Sequence, residues 1–193
     1  MYEYIQGQLV ELTPTYAVLD TGNIAYFINI SLNTYSGLEG KEGAKLYLHH
    51  VVREDAQLLY GFAKKEEREL FRQLITVSGI GSNTARMMLS SLQPIELKTA
   101  ILEGDVNVLK SVKGIGLKTA QRVIIDLKDK IGKSDSSDIS GIPASSMKKE
   151  EALSALVMLG FNKNAVDKAL NKIIKENANL SVEELIKIAL KRL

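Results

Sequence analysis

Short apolar runs rich in β-branched and aromatic residues fill the first 62 residues, and turn-forming residues separate them. The runs are Leu9-Val10, Ala17-Val18-Leu19, Ile24-Ala25-Tyr26-Phe27-Ile28, Leu46-Tyr47-Leu48 and Leu58-Leu59-Tyr60. They predict about five short strands. Asp20-Thr21-Gly22-Asn23 separates the second run from the third, and a segment from Gly37 to Gly43 precedes the fourth. Strands of this number and length fit a small β-barrel of the OB type, and a small open sheet is the alternative.

From Lys64 onwards the apolar residues take the three-and-four spacing of amphipathic helices. The two clearest helical faces consist of Leu70, Phe71, Leu74 and Ile75, and of Ala120, Val123, Ile124, Leu127 and Ile131. Between them, Pro94 suits the first turn of another helix and Gly104 suits its end. We therefore predict that residues 63–132 form an all-α domain of short helices joined by tight turns.

A polar segment separates these helices from the end of the chain. Residues 132–146 contain six serines, two glycines and one proline, which leaves too little apolar surface for an ordered core. We therefore predict a flexible linker over residues 133–147. Residues 148–193 predict three further helices: one over 148–159 that stops at Gly160, one that begins near Asn162, and one opened by a capping box from Ser181 to Glu184.

One motif occurs twice in the predicted helical domain, 35 residues apart. The first copy is Val77-Ser78-Gly79-Ile80-Gly81-Ser82-Asn83-Thr84-Ala85, and the second is Val112-Lys113-Gly114-Ile115-Gly116-Leu117-Lys118-Thr119-Ala120. In each copy an apolar helix end runs into Gly-Ile-Gly, and a new helix is predicted directly afterwards. The two glycines permit backbone conformations closed to other residues and let a phosphate approach closely. The isoleucine between them can fill the core beneath the turn.

The repeated motif predicts a phosphate-binding site. A helix that begins directly after the second glycine presents unpaired N–H groups at its positive end, which favours an anion. Lys118 and Arg122 lie one turn apart on the predicted exposed face of the second such helix. Contacts of this kind go to phosphates and read no bases, so DNA binding should be independent of base sequence. The predicted DNA-binding residues are Gly79, Ile80, Gly81, Ser82, Asn83, Gly114, Ile115, Gly116, Leu117, Lys118, Thr119 and Arg122.

A single Gly-x-Gly also fits a simple tight turn between packed helices. The duplication, the shared apolar residue and the basic residues beside the second copy favour phosphate binding instead. The dinucleotide-binding pattern G-x-G-x-x-G does not match, because Thr84 and Thr119 occupy its last glycine position.

The charge distribution indicates which part of the chain would hold a polyanion. Residues 1–62 contain three Lys or Arg against seven Asp or Glu, whereas residues 63–132 contain twelve against eight. The predicted helical domain is therefore the part that attracts nucleic acid, and the predicted barrel shapes or repels it.

Composition excludes several kinds of chemistry. The chain has no cysteine and only two histidines, which excludes disulfides and thiolate sites and argues against a zinc site. It lacks the G-x-x-x-x-G-K-[ST] pattern, so we expect no nucleotide hydrolysis. No apolar run approaches the roughly 18 residues of a membrane span, and the N-terminus lacks the features of a secretion signal. These observations predict a cytoplasmic protein without a cofactor, a metal or a membrane partner.

The doubled motif and two flanking segments together resemble one family over the whole chain. The flanking segments are Val51-Val52-Arg53-Glu54-Asp55-Ala56-Gln57-Leu58-Leu59-Tyr60-Gly61-Phe62 and Leu156-Val157-Met158-Leu159-Gly160-Phe161. The chain resembles the RuvA family, the junction-recognition subunits of the bacterial Holliday-junction branch-migration complex. The resemblance implies an N-terminal OB fold (residues 1–62), a tandem helix-hairpin-helix domain (63–132) and, after the linker, a three-helix domain like ubiquitin-associated folds (148–193).

The resemblance also implies partners. It implies a homotetramer, single or paired into an octamer, that receives a four-way DNA junction on a flat face. The third domain would dock on RuvB, a hexameric ATPase motor, through Leu156, Leu159, Gly160 and Phe161, although each of these also fits a core position. RuvC resolvase would be a further partner. Relatives often have a lysine where this first hairpin has Ser82-Asn83, which implies a weaker grip there.

Glu54 and Asp55 are predicted to lie at the tip of a hairpin between two strands. The resemblance implies that they form an acidic pin at the centre of the tetramer, which would keep strands apart by repelling phosphates. A solvated turn is the simpler interpretation. The rival interpretation makes them magnesium ligands of a nuclease, but no further acidic residue is tied to them by the sequence.

Two other functions remain open. One is a DNA-repair enzyme with paired hairpins, such as a glycosylase or an incision factor, although three small domains leave little room for a base pocket. The other is a single-strand binder that stacks bases on Tyr4, Tyr16, Tyr26 and Phe27 of the barrel, against which the acidic charge of residues 1–62 argues. The leading hypothesis is a non-catalytic junction-binding subunit.

Overall fold

The computed structural model describes residues 2–135, 144–177 and 180–193. The chain divides into two compact units, Met1–Ser136 and Ser137–Leu193. The predicted barrel and the predicted helical domain thus belong to one compact unit. Residues 136–143, the centre of the predicted linker, lie outside the described residues.

The first unit begins with five strands that close into a barrel in the order β1-β2-β3-β5-β4. The strands are β1 (Tyr4–Leu12), β2 (Tyr16–Asp20), β3 (Ala25–Ile30), β4 (Gly43–Val52) and β5 (Gln57–Phe62). Neighbouring strands are antiparallel except β3 and β5, which pair in parallel at Asn29 with Tyr60 and at Ile30 with Gly61. This parallel pair closes the sheet, so the barrel prediction is confirmed and the open-sheet alternative is wrong.

Alternation along the strands fills the barrel. In β2, Ala17 and Leu19 point inward and are fully buried, while their neighbours are partly exposed. The barrel core consists of Ile5, Ala17, Leu19, Ile28, Ile30, Leu38, Ala44, Leu46 and Leu48. The predicted turn between β2 and β3 is confirmed, and Gly22 there has a φ of 101°.

A short helix that the apolar pattern does not predict, α1 (Leu32–Leu38), lies between β3 and β4. The hydroxyl of Ser31 caps it by accepting a hydrogen bond from the Thr34 N–H. The sequence prediction of an irregular segment up to Gly43 missed this helix. The reason is that four of its seven residues are polar or glycine, and contacts with distant residues, such as the burial of Leu38 in the barrel core, stabilise it.

Five helices complete the first unit and form the helical domain. They are α2 (Lys65–Leu74), α3 (Ser82–Ser91), α4 (Pro94–Glu103), α5 (Val106–Lys110) and α6 (Leu117–Asp135). Both predicted apolar faces are confirmed, since Leu70, Phe71 and Leu74 of α2 pack in the same core as Val123 and Leu127 of α6. Pro94 starts α4 and Gly104, with a φ of 77°, ends it as predicted.

The barrel and the helical domain share polar and apolar contacts. Glu67 of α2 is buried and accepts hydrogen bonds from the hydroxyls of Ser31 and, at 2.9 Å, Thr34. Burial raises the pKa of the Glu67 carboxyl, although the two hydroxyls partly oppose this. The ring of Phe71 packs 4.9 Å from Phe62 of the barrel. These contacts explain why residues 2–135 form one unit.

The second unit contains three helices, α7 (Ala144–Met158), α8 (Lys163–Glu176) and α9 (Val182–Leu190). Its core consists of Ala152, Leu156, Val166, Leu170, Ile173, Leu185 and Ala189. The predicted start of α8 is confirmed by the Asn162 side chain, which caps it, and the predicted capping box of α9 is formed by Ser181 and Glu184. Helices α6 and α7 extend into both ends of the segment predicted as linker, because each residue added to an existing helix gains one backbone hydrogen bond.

Among the described residues, we find no helix with the length and apolar character needed to cross a bilayer.

Candidate nucleic-acid interface

The two copies of the sequence motif form two turns with the same backbone geometry. The first hairpin is residues 75–81, between α2 and α3; the second hairpin is residues 111–116, between α5 and α6. The Ile80 N–H donates to the Val77 carbonyl at 3.0 Å, and the Ile115 N–H donates to the Val112 carbonyl at 3.1 Å. Both isoleucines are buried in the core of the helical domain. The prediction that the isoleucines fill the core beneath each turn is therefore confirmed.

The two glycines of each hairpin have different roles. Gly79 and Gly114 have φ values of 92° and 91°, a region that favours glycine. Gly81, by contrast, has φ −85° and ψ 170°, which any residue can adopt, and Gly116 is not among the glycines with positive φ. The prediction that both glycines serve an unusual backbone conformation is therefore wrong for the second one.

The second glycine of each hairpin leaves the following helix end uncovered. A Cβ atom at Gly81 or at Gly116 would meet no other atom within 4 Å, so each position opens onto free space. A methyl group there would lie at the approach to the helix end without meeting these atoms. This geometry suits a ligand that must come close to the backbone.

Backbone amides at the start of α3 and α6 are free to bind a ligand. The first helical hydrogen bonds are those from the Ala85 N–H to Gly81 and from the Ala120 N–H to Gly116, both at 2.9 Å. The amides of the three residues that follow each of these two glycines precede these bonds, and no side chain caps α3. Together with the positive end of each helix dipole, these amides give the two helix ends the same features that favour an anion.

The second hairpin adds basic side chains to its amides. Lys118 and Arg122 are exposed on α6, as predicted, and the Nε of Arg122 lies 3.8 Å from the Asp126 carboxylate one turn further on. Lys113, directly before Gly114, is exposed as well. The sequence prediction omitted Lys113. It occupies the same position in the second motif as Ser78 in the first, and this position could have indicated a DNA contact. Leu117 is exposed beside Gly116, and Thr119 is partly buried.

The first hairpin has polar but uncharged side chains at the corresponding positions. Ser82 is partly buried and Asn83 is exposed. The hydroxyl of Tyr60, in barrel strand β5, donates a hydrogen bond to Oδ1 of Asn83 at 3.3 Å. Arg86 of α3 donates to the Thr15 carbonyl of the barrel at 2.9 Å. The side chains of α3 thus connect the first hairpin to the barrel.

Glu54 and Asp55 lie in the turn that joins β4 to β5, residues 53–56, which we call the acidic turn. The Arg53 N–H closes it by donating to the Ala56 carbonyl at 2.8 Å. Their predicted place at the tip of a hairpin is confirmed, and both are exposed. The Nε of Arg53 lies 3.4 Å from Asp55, a neighbour that the prediction did not consider. Among the described residues, no three His, Asp or Glu side chains gather to hold a metal ion.

The aromatic residues considered for base stacking are divided over different faces. Tyr16 and Phe27 stack on each other with ring centroids 4.5 Å apart. Tyr4 instead lies under the Nζ of Lys45, 3.9 Å from its ring centroid, and Tyr26 is partly buried against the barrel core. The four rings therefore do not form one continuous stacking surface.

In the second unit, the predicted partner-binding residues differ in exposure. Leu156 is 0% exposed and belongs to the core, so its inclusion in an exposed contact surface is wrong. Gly160 has a φ of 98° and ends α7, and Phe161 is partly buried against the core. Leu159 is 62% exposed and lies beside Val157 and Met158, which are 38% and 88% exposed. These last three residues form what we call the C-terminal apolar patch.

Comparison with known proteins assigns the chain to a family. Family models match in three places: "RuvA N terminal domain" at residues 1–61, "SAM-like Helix-hairpin-helix tandem" at 71–129 and "RuvA, C-terminal domain" at 148–193. Relatives named Holliday junction branch migration complex subunit RuvA include those of Bacteroides fragilis (54% identical), Christiangramia forsetii (53%) and Flavobacterium psychrophilum (49%), and each alignment covers 100% of both chains. With full-length identities near one half and matching models for the parts that surround both hairpins, this chain belongs to the RuvA family.

Proposed function

We propose that this chain is a non-catalytic subunit that binds four-way DNA junctions and positions a motor for branch migration in recombination and repair. The observation that carries the proposal is the pair of equivalent hairpins, each with an uncovered second glycine and a free helix end. The name of the relatives, Holliday junction branch migration complex subunit, supports it.

Binding is independent of base sequence, because the two hairpins offer amides, lysines and an arginine, which contact phosphates. Each chain makes few such contacts, so oligomerisation is part of the mechanism. Four linked copies raise the effective concentration of the remaining sites and strengthen binding by roughly 10² to 10⁴. We therefore propose a homotetramer, alone or paired face to face, on the junction.

The acidic turn acts by repulsion. Glu54 and Asp55 are exposed at the tip of a hairpin, and carboxylates brought together near the crossover of a junction repel phosphates. In a tetramer these turns form a pin that keeps DNA strands apart as they exchange. The turn supplies no chemistry, and strand movement depends on a separate motor.

The second unit supplies the contact with that motor. The C-terminal apolar patch offers three exposed apolar side chains around the end of α7, a surface that suits a protein partner. We propose that Leu159, with Gly160 and Phe161 shaping the turn beside it, docks on the RuvB ATPase. RuvC resolvase is a further partner of the assembled complex, which works on DNA in the cytoplasm.

Binding of the chain to synthetic four-way, duplex and single-stranded DNA of matched length tests the proposal. We expect the strongest binding to the four-way junction and a steep loss of affinity with salt, because phosphate contacts displace counterions. Gly116→Val should fold normally, because a Cβ atom there meets no other part of the protein within 4 Å. It should bind the junction much more weakly, because its side chain keeps a phosphate away from the amides at the start of α6. Equal binding to all three DNAs, or an unaffected Gly116→Val, contradicts the proposal.

A further inference from the structure

The two hairpins differ at one aligned position. Asn83 and Lys118 are both the second residue after the second glycine of their hairpin, and both are exposed. Between Arg72 and Lys98 the chain contains only one basic residue, Arg86. Its guanidinium donates to the Thr15 carbonyl at 2.9 Å and to Oδ1 of Asn29 at 3.4 Å, both in the barrel. The position filled by a cation in the second hairpin is therefore filled by a neutral amide in the first.

Tyr60, a buried residue of barrel strand β5, forms a hydrogen bond with this amide. Its side chain is 1% exposed, and its ring packs 5.1 Å from the ring of Phe71, so the hydroxyl has little freedom to move. The hydroxyl donates to Oδ1 of Asn83 at 3.3 Å. Because a side-chain amide carries its acceptor and its two donors on opposite sides, this bond directs the Nδ2 donors of Asn83 away from the barrel. Asn83 is exposed and is the second residue of α3, in the same first turn as the uncapped amides.

We propose that Asn83 donates a neutral hydrogen bond to a DNA phosphate at the first hairpin, and that Tyr60 is the positioning residue that orients it. The proposal rests on the junction-binding function proposed above and names how its first hairpin binds. The second hairpin achieves the same contact with the charge of Lys118. The first hairpin replaces charge with an amide whose direction is set in advance by a buried hydroxyl.

The two modes of binding differ in their response to salt. A lysine that neutralises a phosphate releases counterions. Each such contact makes the slope of log affinity against log salt concentration steeper by about one. A neutral amide releases none. Asn83 therefore contributes affinity that persists at high salt, whereas the contribution of Lys118 declines as salt rises.

The experiment measures affinity for a fluorescently labelled four-way junction by anisotropy, from about 50 to about 200 mM salt. It compares the parent with Tyr60→Phe, Asn83→Ala, their double variant and Lys118→Ala. Tyr60→Phe keeps the buried ring and removes only the hydroxyl. Tyr47→Phe, which removes a hydroxyl from barrel strand β4, is the matched control.

We expect Tyr60→Phe and Asn83→Ala each to weaken binding by about 3- to 10-fold per hairpin, with the slope against salt unchanged. The double variant should be no weaker than Asn83→Ala, because both changes remove the same hydrogen bond to phosphate. Lys118→Ala should weaken binding and reduce the slope by about one unit for each phosphate that the lysine no longer neutralises. Tyr47→Phe should bind like the parent.

A rescue variant separates positioning from general damage to the fold. In Asn83→Lys the charge replaces the oriented amide, so adding Tyr60→Phe to it should have no further effect, and its salt slope should be steeper than that of the parent. If Tyr60→Phe proves misfolded, Asn83→Ala and Asn83→Lys decide alone, because Asn83 is exposed and its replacement leaves the core intact.

Three outcomes overturn the inference. In the first, Tyr60→Phe or Asn83→Ala binds like the parent. In the second, the losses of affinity in the two single variants add in the double variant, and in the third, Asn83→Ala lowers the salt slope as Lys118→Ala does. A parent protein that does not prefer four-way DNA overturns the proposed function instead. A parent that binds the junction while Tyr60→Phe has no effect overturns only the role of Tyr60 and Asn83.

Discussion

Arg68 of α2 binds Glu3, the residue before β1, through two hydrogen bonds. Its Nη2 donates to the Glu3 carboxylate at 2.7 Å and its Nη1 donates to the Glu3 backbone carbonyl at 2.8 Å. The Arg68 side chain is 1% exposed, and its guanidinium lies 5.4 Å from the centroid of the Tyr47 ring. The hydrogen bond from Arg68 lowers the pKa of the Glu3 carboxyl, because it stabilises the ionised form. This contact ties the first helix of the helical domain to the start of the barrel.

We predict that Arg68→Ala lowers the free energy of unfolding of the first unit by about 2 to 4 kcal/mol, since it removes a buried, hydrogen-bonded side chain. Chemical denaturation followed by circular dichroism measures this. Arg53→Ala is the matched control, because the Arg53 side chain is 65% exposed and its pair with Asp55 is solvated. Equal stability of the two variants would show that the Arg68 contact is dispensable.

Glu67 should make the stability of the first unit depend on pH. Because burial raises its pKa in the folded state above the ordinary carboxyl value of 4.5, ionisation of this side chain costs stability as pH rises through the raised pKa. Glu67→Gln cannot ionise. The unfolding temperature of Glu67→Gln relative to the parent should therefore increase as pH rises from about 4.5 towards neutrality.

The neighbouring residue Glu66 provides the control for that pH series, because it is exposed at the start of α2. Glu66→Gln should show little change relative to the parent over the same range. If the Glu67→Gln difference is constant with pH, burial does not control the ionisation of Glu67.

The two kinds of glycine in the hairpins should respond oppositely to alanine. Gly79→Ala and Gly114→Ala force a side chain into a φ near 90° and should destabilise the fold by about 1 to 2 kcal/mol each. Gly81→Ala and Gly116→Ala should leave stability unchanged or raise it by up to about 1 kcal/mol. Thermal unfolding measures the contrast. A destabilised Gly116→Ala would mean that its site is more crowded than the structure shows.

Neutralising the acidic turn should raise the affinity for DNA and impair branch migration. In Glu54→Gln combined with Asp55→Asn, we expect a few-fold higher affinity for four-way and duplex DNA, because repulsion of phosphates is removed. Branch migration driven by the motor should become slower or less ordered. Glu39→Gln combined with Glu42→Gln removes the same two charges from exposed positions between α1 and β4 and is the control. An identical affinity gain in it would assign the effect to net charge alone.

The C-terminal apolar patch should be needed for the motor and dispensable for DNA binding. Met158→Ser combined with Leu159→Ser should abolish stimulation of RuvB while leaving junction affinity and helical content unchanged, since both side chains are exposed. Leu156→Ala should instead destabilise the second unit by about 2 to 4 kcal/mol, because it opens a cavity in the core. Full stimulation by the double serine variant would place the motor contact elsewhere.

The hairpins were predictable from sequence because their determinants are contiguous. Each one needs a glycine at positive φ, an apolar residue over the core and a helix start within a few positions, and all of these are encoded within nine residues. The same holds for the caps at Asn162 and Ser181 and for the ends of α4. Local conformational preferences of this kind act before the chain folds back on itself.

Contacts between segments that are distant in the chain could not be predicted from the sequence alone. The barrel closes through the parallel pair of β3 and β5, and α1 packs Leu38 into the barrel core. Leu156 faces inward although it lies in an apolar run with exposed neighbours. The hydrogen bond between Tyr60 and Asn83 joins a strand to a helix, and nothing in the sequence around either residue predicts it. A sequence determines which side chains can bury or cap, but only the folded chain brings partners from different elements within about 3 to 4 Å, the range in which hydrogen bonds and packing act.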